Sequence, residues 1–259
     1  MQGAELGKFL VALCERAKEE TLPRFRACTD IENKLDEGFD PVTAADRKAE
    51  YVIREMIMRA LPDHGIIGEE YGSHNQEAEY QWIIDPIDGT RAFISGIPVW
   101  GTLIGLYRNG EPLAGVMDQP YIGERFIFDG ESAFKEHGGS KKPLSTSQVV
   151  NLELATLLTT DPRLFQGHEG ILVRELENSV RLSRYGTDCY GYVMVAEGQV
   201  ELVVESGLQI YDMAALLPIV EAAGGVFTDW EGNSNPNGGR VIAAANNMIH
   251  EQALAILNR

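Results

Sequence analysis

Asp85 and Asp88 are separated by Pro86 and Ile87 and followed at once by Gly89 and Thr90. They come where an apolar run, Trp82-Ile83-Ile84, stops. A second apolar run, Gly65-Ile66-Ile67-Gly68, stops in the same way at Glu69-Glu70. Acids gathered at strand ends repel one another unless something positive stands between them. Hard divalent cations with oxygen ligands do this, and Mg2+ characteristically combines few carboxylates with waters and substrate phosphate. A pair of such ions polarises a phosphate ester, orients a water and stabilises the leaving oxygen. Gly89 adds a backbone that a ligand can approach closely. Arg91 to Ser95 reads as a short helix whose N-terminus favours an anion, and the Thr90 hydroxyl can align a water. Asp85 and Asp88 alone read more readily as ordinary acids of a solvated loop. The whole run from Asp85 to Thr90 points to metal-assisted chemistry on a phosphate.

The elements that must position these residues alternate between helix and strand. Leu6, Phe9, Leu10, Leu13 and Ala17 make a helical stripe within residues 5–27. The polar stretch 24–40 reads as a loop or loose hairpin. Thr43 is placed to cap a helix with Asp46 in its first turn, an apolar face at Val52, Met56, Ile57 and Ala60, and Pro62 as its stop. Residues 64–70 and 82–84 read as short buried strands ending in acids. Residues 98–107 and 112–118 read as a hairpin around Asn109-Gly110, with 124–128 and 132–134 continuing the meander. The polar, glycine-rich stretch 135–147 reads as a boundary. It divides an N-terminal half, 1–147, carrying most candidate ligands, from a C-terminal half, 148–259, that completes the site. In the second half, strands are expected at 154–159, 181–185, 200–205, 225–229 and 240–245. Helices are expected at 167–180, 189–197, 212–224 and from about Met248. Such alternation gives a layered α/β or α+β fold.

Composition narrows the function. The 259 residues suffice for one large domain or two intimate subdomains. With 22 Lys and Arg against 39 Asp and Glu, the net charge of −17 argues against a nucleic-acid binder and against docking to anionic membranes. An anionic substrate remains compatible provided that cations intervene. Cys14, Cys28 and Cys189 are far apart and form no C-x-x-C, which reads as reduced thiols in a cytoplasmic protein. Residues 1–18 lack the basic start and apolar core of a signal peptide. No run of about 18 apolar residues exists to span a bilayer. Neither G-x-S-x-G nor a P-loop occurs, so serine-hydrolase and P-loop nucleotide chemistry lack support.

Asp85-Pro-Ile-Asp-Gly-Thr90 resembles the signature of the inositol monophosphatase-like family of Mg2+-dependent phosphatases. Asp40-Pro-Val-Thr-Ala-Ala-Asp46 resembles that family's D-x-V-T-x-x-D segment, and Gly68-Glu69-Glu70 its G-E-E. Tyr211-Asp212-Met-Ala-Ala with Glu221-Ala-Ala-Gly-Gly225 resembles its W-D-x-A-A…E-A-G-G motif, with tyrosine in place of tryptophan. The resemblance spans nearly the whole chain. It implies an α+β fold, a layered α-β-α-β-α sandwich of the inositol monophosphatase and fructose bisphosphatase type, commonly a homodimer. It implies two or three Mg2+ per site: one held by Glu69, Asp85 and the Ile87 carbonyl, another by Asp85, Asp88 and Asp212, and a weaker third near Glu69. Gly89 and Thr90 would offer backbone N–H groups to phosphate. The Thr90 hydroxyl, bonded to Asp46, would help activate the attacking water. Lys34 matches a mobile-loop lysine, and reads equally as a solvated one. Direct water attack is expected, with an aspartyl phosphate as the alternative.

For the substrate, Arg91-Ala-Phe-Ile-Ser-Gly96 resembles the histidinol-phosphatase branch, as do Asp118-Gln-Pro-Tyr-Ile-Gly-Glu-Arg125 and Arg184-Tyr-Gly-Thr-Asp-Cys-Tyr-Gly191. Histidinol phosphate carries an ammonium and an imidazole, so its pocket should offer acids away from the metals. Asp188 and Glu205 are the candidates, with Arg184 orienting Asp188 or meeting the phosphate side. The competing reading of Asp188 is a cap on the following helix. Two alternatives stand beside a histidinol-phosphate phosphatase: a phosphatase for inositol 1-phosphate or another small monoester, and a family scaffold that binds a protein or RNA partner.

Overall fold

The computed structural model describes residues 3–27, 31–33, 41–234 and 237–259; Lys34 and Cys28 lie outside them. Helix α1 (Gly3–Thr21) leads to a two-stranded antiparallel pair, β1 (Ile31–Asn33) and β2 (Pro41–Thr43), and to α2 (Ala44–Ala60). Then come β3 (Gly65–Gly68), β4 (Gly72–His74), β5 (Tyr80–Asp88), α3 (Thr90–Ile94), β6 (Gly101–Arg108) and β7 (Glu111–Gln119). Strands β8 (Glu124–Phe128), β9 (Ala133–His137) and β10 (Ser140–Pro143) complete one sheet of eight strands, ordered β10-β9-β8-β7-β6-β5-β3-β4. The chain continues through β11 (Thr156–Thr159), α4 (Gly167–Ser179), β12 (Leu182–Tyr185), α5 (Asp188–Ala196) and β13 (Leu202–Leu208). It ends with α6 (Ile210–Met213), α7 (Leu216–Ala222), β14 (Val226–Asp229), β15 (Gly239–Ala244) and α8 (Asn247–Leu257). The second sheet has five strands, ordered β12-β11-β13-β15-β14.

Strand alternation builds the layers, because successive side chains point to opposite faces. In the large sheet Ile104, Val116 and Ile127 face Leu6, Leu10 and Leu13 of α1 and Ile53 and Ile57 of α2. Their neighbours Leu103, Met117 and Phe126 face the other way, onto Val193 of α5 and Leu216 and Val220 of α7. Those helices also meet Val203 and Ala243 of the small sheet. Leu202, Val204 and Ile242, on its far face, pack on Leu176 of α4 and Ile249 and Ala253 of α8. The order is helices, sheet, helices, sheet, helices: the α-β-α-β-α sandwich. Among the described residues no helix is long and apolar enough to cross a membrane.

Two departures from the expected elements have local causes. No strand was expected within the polar boundary stretch 135–147, yet β9 runs on to His137 and turns through Gly138-Gly139 into β10. This hairpin edge is exposed, so its composition is polar although its backbone is paired. The single helix expected over 212–224 is two, α6 and α7. Pro218 has no N–H to bond the carbonyl of Ala214 four residues back, and its ring crowds that carbonyl. The resulting break lies against paired Gly105 and Gly115. A Cβ on Gly105 would come within 2.7 Å of the Ala214 oxygen, and one on Gly115 within 2.3 Å of the Ala215 oxygen. Bare backbone there lets the segment carrying Asp212 rest on the large sheet.

Candidate active site

A regular strand would point Asp85 and Asp88 to opposite faces, since side chains alternate with period two. Strand β5 is not regular there. Asp85 pairs with Leu103 and Asp88 with Gly101, so three steps on β5 oppose two on β6. The extra residue is a bulge, a device that re-aims side chains, and Pro86 suits it because a bulged position needs no N–H in the ladder. The Pro86 carbonyl instead accepts from Thr102 Oγ1 at 2.8 Å, and Asp85 Oδ1 accepts from the Ile87 N–H at 3.0 Å. Both carboxylates thereby reach one cavity.

The other acids arrive by separate routes. Strand β3 runs parallel to β5 with Gly68 opposite Ile84, and the Glu69 N–H continues the pairing to the Ile84 carbonyl at 3.2 Å. That register sets Glu69 beside Asp85. Asp212 comes from α6, where its Oδ2 accepts from the N–H of Gln209 at 2.6 Å. Carboxylate oxygens of Asp85, Asp88 and Asp212 lie within 4.8 Å of one another. Burial, then the charges of Glu69, Asp88 and Asp212, hold the Asp85 carboxyl well above its ordinary range. Burial, then Asp212 and Asp188, do the same to Asp88, against which the Cys189 N–H acts from 2.7 Å. An all-oxygen donor set with this much mutual repulsion fits a hard divalent cation such as Mg2+.

Gly89 follows with φ of 80°, in the left-handed region where glycine is unstrained, and opens α3. The Thr90 hydroxyl lies 3.1 Å from the Ile87 carbonyl and 3.4 Å from Asp46 Oδ1. Asp46 is also the N-terminal acid of α2: its Oδ2 accepts from the Thr43 N–H at 2.9 Å and the Thr43 hydroxyl at 2.6 Å in a capping box. The two readings of Asp46 are therefore one arrangement, with a different oxygen for each. Burial raises Asp46 to about 6 although Thr43 opposes it.

The same cavity, of about 440 Å³, is lined by Glu69, Asp85, Ile87, Asp88, Gly89 and Thr90, and also by Asp188, Glu205 and Asp212. Asp188 sits at φ 44°, left-handed without being glycine, and no side-chain bond caps α5. The capping reading of Asp188 does not describe it. Burial raises Asp188 to about 6, with Arg91 pulling it back. Glu205 precedes a second bulge, in β13. Its Oε1 accepts from the Thr160 N–H at 2.6 Å, while its buried Oε2 has no partner among the described residues. Burial lifts Glu205 to about 7.

Arg184 is not brought to this cavity. It lies exposed on β12, an edge strand, opposite Leu158 of β11. The cation beside Asp188 is Arg91, from the turn after Thr90. Sequence reasoning also passed over Tyr192, whose buried hydroxyl lacks a partner among the described residues and which lines the cavity. Its position four residues after Asp188 on an expected helix was the available signal.

The geometry can be set beside known proteins. The model of the inositol monophosphatase family matches residues 3–259. The chain is 40% identical over 271 aligned positions to the bifunctional phosphatase IMPL2, chloroplastic, of Arabidopsis thaliana, covering 99% of this chain and 77% of that protein. It is 36% identical over 256 positions to a histidinol-phosphatase of Mycobacterium tuberculosis, covering 96% of each. A solved inositol monophosphatase from Zymomonas mobilis matches with a TM-score of 0.85 and 37% identity over 97% of each chain. A family match over the whole sandwich, with these three relatives each named as a phosphatase, accounts for the clustered acids: the chain belongs to the inositol monophosphatase family and is a phosphoric monoester hydrolase.

Proposed function

We propose that this enzyme hydrolyses histidinol phosphate to histidinol and inorganic phosphate, using Mg2+. The observation that carries the substrate is a pair of acids, buried Glu205 and half-buried Asp188, in the cavity that also contains Asp85, Asp88 and Asp212. Asp188 already has the Arg91 charge nearby, but Glu205 is buried with no counter-charge among the described residues, which is costly. An ammonium and an imidazole supply one; the neutral hydroxyls of an inositol ring do not. The similarity to the histidinol-phosphatase of Mycobacterium tuberculosis supports the same choice. The match to the Zymomonas mobilis enzyme favours inositol 1-phosphate as the second reading.

Glu69, Asp85, Asp88, Asp212 and the Ile87 carbonyl are the proposed cation donors. Bound there, Mg2+ supplies Lewis acidity for the phosphate ester and offsets the repulsion among the carboxylates. The backbone N–H groups of Gly89 and Thr90 bind phosphate at the start of α3. The Thr90 hydroxyl, poised between Asp46 and the Ile87 carbonyl, orients the attacking water, and Asp46 holds that hydroxyl in place. Asp188 and Glu205 bind the cationic end of the alcohol.

Asp188→Asn tests the assignment, because asparagine tolerates the same left-handed backbone while lacking the charge. KM for histidinol phosphate should rise about tenfold or more, as for loss of a charged hydrogen bond. KM for p-nitrophenyl phosphate should stay near the wild-type value. Equal effects on both esters would overturn the role of Asp188.

A further inference from the structure

Helix α2 holds a second buried acid one turn after Asp46. Glu50 is 0% exposed, yet it does not line the active-site cavity. Its carboxylate lies under the turn between β3 and β4. Oε2 accepts from the Glu70 N–H at 2.7 Å, and Oε1 from the Tyr71 N–H at 3.1 Å. Arg54, the next residue along the same helix face, donates to Glu50 Oε1 at 3.1 Å and to the Gly72 carbonyl at 2.8 Å. The pair thus grips residues 70, 71 and 72 from a single helix. On the other side of the turn, Gly68 makes room for it: a Cβ there would stand 2.0 Å from Glu50 Oε1.

A buried ion pair is a poor source of stability, since apolar residues of similar volume often do as well or better. What it supplies here is geometry. Glu69 stands immediately before the gripped residues, close enough for its charge to act on Asp85. Outer contacts of this kind commonly set the orientation of metal-binding carboxylates. Glu69 itself has β3 on one side and the gripped residues on the other, so the backbone from which its carboxylate springs is held on both sides.

We propose that Glu50 is a positioning residue: with Arg54 it clamps the 68–72 turn so that the Glu69 carboxylate is presented, preorganised, to the cation it shares with Asp85. This rests on the proposed role of Glu69 as a cation donor. Neither Glu50 nor Arg54 touches substrate, and their effect should appear in cation affinity.

The test is calorimetric titration of Mg2+ into the metal-free full chain, for wild type, E50Q and the double variant E50M/R54M. The double variant replaces the pair with apolar residues of similar reach, so no unpaired buried charge is left to unfold the protein. Its melting temperature should fall by no more than a few degrees, because the backbone groups of residues 70–72 that lose their partners lie on a partly exposed turn that water can reach. Both variants should bind Mg2+ about tenfold more weakly or worse. The Mg2+ concentration for half-maximal activity should rise by the same factor, with KM for substrate at saturating Mg2+ unchanged. Wild-type Mg2+ affinity in folded E50M/R54M would overturn the positioning role and leave the reading of Glu69 intact. Absence of Mg2+ binding by the wild-type chain would overturn both.

Discussion

Replacing Glu205 by Gln in the metal-free enzyme should change how stability depends on pH. Glu205 is 1% exposed, and burial, only partly opposed by the Thr160 N–H, moves its carboxyl from an ordinary 4.5 to about 7. Between those values the folded chain keeps a proton that the unfolded chain has released. Stability contributed by this group is therefore present below about pH 4.5 and is lost as pH rises to about 7. At about 1.4 kcal/mol per pH unit, the full loss by pH 8 is about 3.5 kcal/mol, an upper figure for one buried group, and roughly 2.5 kcal/mol of it falls above pH 5. The substituted glutamine keeps an acceptor for the Thr160 N–H, and its amide never ionises. Any fixed packing cost of the amide is the same at both pH values and cancels in the difference. Urea denaturation in EDTA at pH 5 and pH 8 reads this directly. The variant should gain about 2–3 kcal/mol relative to wild type between the two. Parallel behaviour at both pH values would refute the claim that Glu205 is buried without a counter-charge.

Two further expectations concern the acids around it. Asp188→Gly and Asp188→Ala both remove the carboxylate, but only glycine accepts φ of 44° without strain; the glycine variant should be more stable by about 1 kcal/mol, and equal melting temperatures would contradict the left-handed backbone. Asp88→Asn should lower kcat/KM more than about a hundredfold, beyond the usual effect of an outer contact, yet raise the melting temperature in EDTA by removing one charge from the Asp85, Asp88 and Asp212 group; retained activity in Mg2+ would remove Asp88 from the cation donors.

Much of this was legible because local rules governed it. Asn109-Gly110 marked the β6–β7 hairpin, both residues having positive φ. Strand β8 fell on the expected residues 124–128. Thr43 and Asp46 announced their capping box. What escaped the sequence depended on partners distant along the chain. The bulge that turns Asp85 and Asp88 to one side is defined by pairing with β6, so β5 seemed to end at Ile84. Gly105 and Gly115 acquire meaning only once Ala214 and Ala215 rest upon them. Arg184 and Arg91 stand 93 positions apart in the sequence, and only the placement of β12 at a sheet edge decides which one meets Asp188. Glu50 carries no local signal, because its partners, the N–H groups of Glu70 and Tyr71, come from a turn 20 residues further along the chain.

The central claim is that the metal-side acids handle the phosphate while Asp188 and Glu205 select a cationic alcohol. Its most direct test is kcat/KM of the wild-type enzyme, with saturating Mg2+, for histidinol phosphate against inositol 1-phosphate. The account predicts a preference for histidinol phosphate of at least about a hundredfold, with about 10^4 as the scale reached when a site's buried polar groups are left fully unpaired. A ratio near one, or a preference for inositol 1-phosphate, would contradict it.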